Sequence, residues 1–225
     1  MLSGLLALLR QNPRYRELLV QAQDLASAPS SALSLALLEA ARPFLIAALQ
    51  ADWPGPVVIV SGRPEDARHL ADQVRVWSTD ADQVLYFQAP DAIFYDRMPW
   101  DRETIHARVN VLSLLTALRG QEKADAGRGL VITTSVWALM AKSVSPLAFR
   151  RAMRTLQTGD VIPPHRLLEQ CVRAGYEPVA VVEEPGTFSR RGSLVDIYPS
   201  NRDKPLRLDF FGDELESIRI FDIES

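Results

Sequence analysis

Apolar and polar side chains alternate with a period of two near the end of the chain, where Leu206, Leu208 and Phe210 interleave with Arg207, Asp209 and Phe211. A strand sends successive side chains to opposite faces, so this spacing predicts one core face and one face open to a partner. Gly212, Asp213 and Glu214 read as a three-residue hairpin loop, which sets Leu208 opposite Ile218 and Leu206 opposite Ile220. A two-residue loop is expected to misalign those rows, because a one-residue slip exchanges the two faces of a strand. Leu194–Tyr198 is a further predicted strand, opened by Arg190, Arg191 and Gly192 and closed by Pro199. Arg191 is therefore expected at a neighbouring strand end near Arg207.

Upstream the pattern alternates between helical and strand periods. Helices are predicted over Tyr15–Ala28 and Ser31–Ala51, a continuous apolar strand over Pro56–Val60, and a helix from Pro64 with Ala67, Leu70, Ala71 and Val74 on one stripe. Gln83–Gln88 reads as a strand, Ala89–Trp100 as a long loop, and Ile105, Val109, Leu112, Leu115 and Leu118 as one helix stripe. After a polar loop over Gln121–Gly129 come a strand at Leu130–Thr133 and a short helix over Ser135–Ser143. Buried strands alternating with helices predict an α/β domain, a mostly parallel sheet with helices on both faces. Past Pro146 the pattern changes to a strand over Phe149–Leu156, a helix from Pro163 to Gly175, and strands from Tyr176 onward. The expected organisation is an α/β domain over residues 1–147 and a smaller α+β domain with an antiparallel sheet over residues 148–225.

The 225 residues are 47% hydrophobic, enough to bury a core, and the net charge of −3 argues against a strongly basic nucleic-acid footprint. The single cysteine, Cys171, excludes an internal disulfide and a multi-cysteine zinc site, which suits a reducing cytoplasm. The apolar run from Ala32 to Leu49 is broken by Glu39, Arg42 and Pro43, so it is read as a core helix pair and not as a membrane segment. No signal peptide is read in the first ten residues, which lack a basic start and a cleavage site.

Catalytic chemistry finds no constellation. A phosphate-binding loop needs two glycines, a lysine and a serine or threonine at fixed spacing. The lone Lys142–Ser143 pair has Val136 and Ala141 where the glycines belong. His69, His106 and His165 have no metal-ligand spacing and read as helix-surface residues, and Cys171 lies on an apolar stripe with Leu167, Leu168 and Val172. Ser61–Gly62 and Thr133–Thr134 offer hydroxyls at a sheet edge without an acid-base pair. No cofactor and no metal is expected. The open face of the last strands carries a different chemistry, because arginine with an exposed ring is the mixture that dominates protein-binding hot spots. Residue chemistry alone also fits a solvated face with scattered arginines.

The Gly186–Ser200 and Pro205–Asp222 blocks resemble the corresponding segment of the UvrB family and, more closely, the amino-terminal region of the bacterial transcription-repair coupling factors. Weaker similarities at the Val57–Val60 strand, the Tyr95–Asp96 turn and the Val131 strand extend the resemblance over nearly the whole chain. It implies a degenerate nucleotide-binding domain of the UvrB 1A kind followed by a UvrB-like domain 2, without ATPase activity of its own. By this resemblance the region around Leu38–Arg42 replaces the phosphate-binding loop, and it carries an acid and no lysine. The resemblance further implies recruitment of UvrA to a stalled RNA polymerase by mimicry of UvrB. It assigns the UvrA surface to Arg191 in the Phe-x-x-Arg-Gly stretch and to Arg207 and Phe211 in the Arg-Leu-Asp-Phe-Phe stretch. A longer polypeptide is implied, whose other domains mask this face, carry the motor, and reach RNA polymerase and DNA. The alternative is a fragment of UvrB itself, an ATP-dependent repair helicase subunit that binds DNA.

Overall fold

The computed structural model describes residues 3–26, 32–90, 100–119 and 127–223. In chain order the elements are α1 (Leu6–Gln11), α2 (Pro13–Ala26), α3 (Arg42–Asp52), β1 (Val57–Ser61), α4 (Pro64–Trp77), β2 (Val84–Phe87), α5 (Arg102–Arg119), β3 (Val131–Ser135) and α6 (Val136–Met140). They continue with α7 (Pro146–Ala152), α8 (Pro164–Arg173), β4 (Glu177–Pro178), β5 (Thr187–Arg191), β6 (Leu194–Tyr198), β7 (Leu206–Phe211) and β8 (Glu214–Ile220). Two compact units result, Met1–Ala89 with Leu118–Ala141, and Pro90–Ala117 with Lys142–Ser225. Most of α5 thus groups with the later part of the chain. The Tyr95–Asp96 turn lies outside the described residues, as does most of the Gln121–Gly129 loop.

The first unit holds a three-stranded parallel sheet in the order β1-β3-β2, with Val131 of β3 opposite both Val57 and Val84. Helices α1 to α4 supply Leu6, Tyr15, Ile46, Ala47, Ala48, Ala71 and Val74 to a core shared with Val84 and Val131. Ala67, Ala71 and Val74 recur at helical spacing on α4, which is why that stripe faces the sheet. Asp52 at the end of α3 accepts from Arg10 Nε at 3.0 Å and from the Tyr15 hydroxyl at 3.0 Å, tying α1 and α2 to α3. The expected helix over Ser31–Ala51 is shorter than its apolar run, because residues 32–38 carry no regular structure and α3 begins only at Arg42. Pro43 explains the boundary: its missing N–H suits the first turn of a helix and would break a ladder running through it.

The second unit is a five-stranded sheet in the order β4-β5-β6-β7-β8, with α8 packed on one face. Its core joins Ile162, Leu167 and Cys171 to Phe188, Val195, Ile197, Leu208, Phe210 and Leu215. The sheet is mixed, since β4 runs parallel to β5 while the other pairs are antiparallel. Two expected strands are corrected. Residues 149–156 do not form a strand; α7 occupies Pro146–Ala152, because Ser145 Oγ caps Ala148 N–H at 3.3 Å and Pro146 opens the helix. The run from Tyr176 to Glu184 yields only Glu177–Pro178, where Pro178 lacks the N–H needed to continue a ladder.

At the last hairpin the expected register holds for an unexpected reason. Leu208 lies opposite Ile218 and Leu206 opposite Ile220, yet the turn contains only Gly212 and Asp213, because Phe211 already pairs with Glu214. The register shifts between Asp209 and Phe210, which leaves Glu216 as one extra residue on β8. This β-bulge restores the rows that a two-residue turn alone would misalign. Gly212 has φ of +62°, the positive value that a type II′ turn requires at its first central position.

Candidate protein-binding face

Side chains paired across a sheet point to the same face, so the strand registers define which residues share the side away from α8. One row is Ser189, Asp196, Arg207 and Arg219, and the next is Arg191, Leu194, Asp209 and Ser217. Phe211 and Glu214 close the series at the hairpin end. Arg191, Arg207 and Phe211, singled out on β5 and β7, therefore lie on one side of one sheet. Arg191 is two strands from β7, a lateral separation of about 10 Å. Phe211 is 74% exposed, while its neighbour Phe210 is buried in the core, as the period-two pattern requires.

Arg207 is held on two sides. Its Nε donates to Asp196 Oδ1 at 2.7 Å and its Nη2 to Asp196 Oδ2 at 2.8 Å, a side-on bidentate pair. The Phe221 ring centroid lies 4.9 Å from Cζ, within cation–π range. Hydrogen bonding to Asp196, reinforced by its charge, raises the Arg207 pKa, so the guanidinium stays charged at any accessible pH. Asp196 is only 7% exposed and lies beneath the face, whereas the Arg207 side chain remains 39% exposed. Arg191 is exposed and donates from Nη2 to the Ala180 carbonyl at 3.2 Å, which also accepts from Ser189 Oγ at 3.1 Å. Arg219 Nη2 stands 3.5 Å from Asp209 Oδ2, and Ser217 Oγ is enclosed with no hydrogen-bond partner among the described residues.

Asp196, Phe221 and Arg219 are members of this face that reading the strands one at a time does not identify. Their signal lies in the cross-strand register, which needs the length of the Pro199–Lys204 connection and the bulge at Glu216. His106, expected on a helix surface, is instead mostly enclosed: Nε2 is 3.6 Å from Asp203 Oδ1 and Nδ1 is buried without a partner among the described residues. Cys171 is buried as its apolar stripe predicts, and burial pushes its thiol up to about 11.

In the first unit, a cleft of about 1100 Å³ opens at the carboxyl end of β1, lined by Glu39, Arg42, Ser61, Gly62, Asp66 and His69 among others. Residues Glu39–Ala41 form a single 3-10 turn ahead of α3, and Glu39 lies 3.7 Å from Arg42. Lys142 and Ser143 follow α6 and do not join a strand to a helix; Ser143 Oγ accepts from Arg108 Nη2 at 2.8 Å. Thr133 and Thr134 are buried, and Thr134 Oγ1 donates to the Phe87 carbonyl at 3.0 Å. Among the described residues no three His, Cys, Asp or Glu side chains cluster to hold a metal, and no helix is long and apolar enough to cross a membrane.

The arginine face falls within residues 155–225, which match the UvrB interaction domain family. The second unit thus contains a UvrB-type interaction domain. Over 192 residues, 83% of this chain, the sequence is 35% identical to the transcription-repair-coupling factor of Myxococcus xanthus, and over 188 residues it is 31% identical to that of Escherichia coli. UvrABC system protein B of Thermotoga maritima is 37% identical over 95 residues, which is 42% of this chain and 14% of that protein. The chain belongs to the transcription-repair-coupling factors, as their UvrB-like region. It spans about 15% of the length of the coupling factors it matches.

Proposed function

We propose that this chain is the docking module through which a coupling factor recruits UvrA to a stalled RNA polymerase, imitating UvrB and hydrolysing no ATP itself. The observation that carries the reading is the shared outward side of Arg191, Arg207 and Phe211, within the stretch that matches the UvrB interaction domain. An exposed ring and a pre-oriented guanidinium on the same side of one sheet supply apolar area and a carboxylate-binding fork at low entropic cost. RNA polymerase and DNA are reached through other parts of the polypeptide, which also mask the face until it is needed. The work is done in the cytoplasm.

The reading without nucleotide chemistry rests on the cleft at β1, where among the described lining residues there is no lysine and the cation Arg42 lies 3.7 Å from Glu39, with Asp66 as a second carboxylate. A wall with two carboxylates and one arginine offers no net positive charge for a triphosphate. The same absence weighs against a UvrB-type ATPase fragment. Calorimetric titration of the chain with magnesium and ATP should give no heat of binding, and saturable binding at micromolar nucleotide would overturn this part.

Titration with UvrA tests the docking itself. Phe211→Ala should weaken binding by about 2 kcal/mol, roughly thirtyfold, if the ring fills a partner pocket. Its exposure leaves the core unaltered, so the folded second unit is retained. Unchanged affinity in both Phe211→Ala and Arg191→Ala would remove the assignment.

A further inference from the structure

Arg207 and Arg219 are direct cross-strand partners on the open face of the sheet, two like charges placed side by side. Such a pair destabilises a ladder, and an exposed edge strand tolerates many polar residues in place of a second arginine. Asp196 engages Arg207 only through Nε and Nη2, leaving Nη1 without a hydrogen bond among the described residues. Arg219 uses only Nη2, at 3.5 Å from Asp209, and keeps Nε and Nη1 unbonded among the described residues, with 65% of its side chain exposed. The Phe221 ring fixes the plane of the Arg207 guanidinium from one side.

We infer that the free edges of Arg207 and Arg219 form one receptor for a single carboxylate of the docking protein, with Asp196 and Phe221 as positioning residues for Arg207. The inference rests on the reading of this face as the UvrA-docking surface. A carboxylate set between two guanidinium groups cancels their repulsion and receives charge-assisted hydrogen bonds from both. Only the Arg219 side chain must be ordered on binding, because Arg207 is already held, so little entropy opposes the contact.

The test is a UvrA titration of the whole chain and of Arg219→Ala, Arg219→Glu, Phe211→Ala, Arg207→Lys and Arg207→Lys/Arg219→Ala, with thermal melts in parallel. Arg219→Ala should weaken binding about tenfold and Arg219→Glu further, since the latter places a carboxylate where the partner's must sit. Arg219→Ala should melt close to the parent, because the relieved repulsion with Arg207 offsets the loss of the exposed 3.5 Å pair with Asp209. In the Arg207→Lys background the effect of Arg219→Ala should shrink severalfold, as expected of two groups that share one ligand. Unchanged affinity of Arg219→Ala while Phe211→Ala is weakened overturns the shared receptor and leaves the docking face standing. Unchanged affinity in both removes the two readings together. Purely multiplicative effects in the double variant, or a loss of affinity that tracks a lower melting temperature, also overturn it.

Discussion

Replacing Arg207 by alanine should destabilise the second unit by about 1–3 kcal/mol before any partner is present. Asp196 is 7% exposed, and its two described hydrogen bonds, at 2.7 and 2.8 Å, both come from Arg207. Removing one partner of a fully buried ion pair costs about 3–5 kcal/mol, whereas an exposed pair contributes about 0–1 kcal/mol. With 39% of the Arg207 side chain in contact with solvent, the pair lies between these limits, since water enters the vacancy and rehydrates the carboxylate in part. Loss of the contact with Phe221 adds about 0.5–1 kcal/mol, which keeps the sum inside the stated range. Asp196→Ala/Arg207→Ala leaves no buried charge, so it should cost less than the two single changes together, by about 1–2 kcal/mol. Native-state hydrogen exchange at the Val195 and Leu208 amides reads the second unit without interference from the first. Single effects that add to within about 0.5 kcal/mol would refute the reasoning and mark the pair as fully solvated. One consequence concerns binding assays: affinity lost in Arg207→Ala mixes a missing contact with a weakened sheet, whereas Phe211→Ala isolates the contact.

Gly212→Val forces a β-branched residue into φ of +62° and should cost more than about 1 kcal/mol, seen as a lower urea midpoint with unchanged slope; no change would argue against the II′ turn. Gln50→Leu removes the acceptor of the buried Ser78 hydroxyl and the Gln50 donor to the Gly129 carbonyl, while the exposed Asp80 carbonyl keeps the Gln83 N–H, and should destabilise the first unit by about 1–3 kcal/mol in the same assay. Cys171 titrates from an ordinary 9.0 to about 11 in the fold, so the unfolded chain loses the thiol proton first. Its contribution is intact below pH 9 and is lost as pH rises from 9 to 11. Melting temperatures of the parent and of Cys171→Ala should converge across that window, and parallel curves would contradict the burial argument.

Elements with a long unbroken stripe were legible in the chain: α4, α5, α8 and the strands β1, β3, β6 and β7 fall within a few residues of their expected limits. Where one residue type carries two meanings, the pattern misleads. Phe149–Leu156 has the apolar content of a strand, but the Ser145–Pro146 cap decides for a helix. The leucines at 33, 35 and 37 add hydrophobicity to the run before α3 without sharing a helix face, and Pro43 excludes them from it. On the open face of the last sheet, period two alone put Arg207 and Phe211 on one side, and the resemblance supplied their expected role. Asp196, Phe221 and Arg219 were not legible, because their roles depend on which strands are neighbours and on a bulge that a one-dimensional pattern does not encode.

That bulge links the core to the face. With a two-residue turn and no extra residue, Arg207 would oppose Ile218 and Leu208 would oppose Ser217, putting an isoleucine in solvent and a hydroxyl in the apolar core. Exposing Ile218 forfeits its burial in the apolar row, so the hydrophobic rows draw Glu216 out of the ladder. The same one-residue shift brings Arg219 opposite Arg207 and sets Phe221 where its ring reaches the guanidinium. The adjacent arginines on the open side are thus a consequence of how the closed side packs. The core fixes the positions of these side chains, which is why the open face can be ordered without contacts of its own to hold every member.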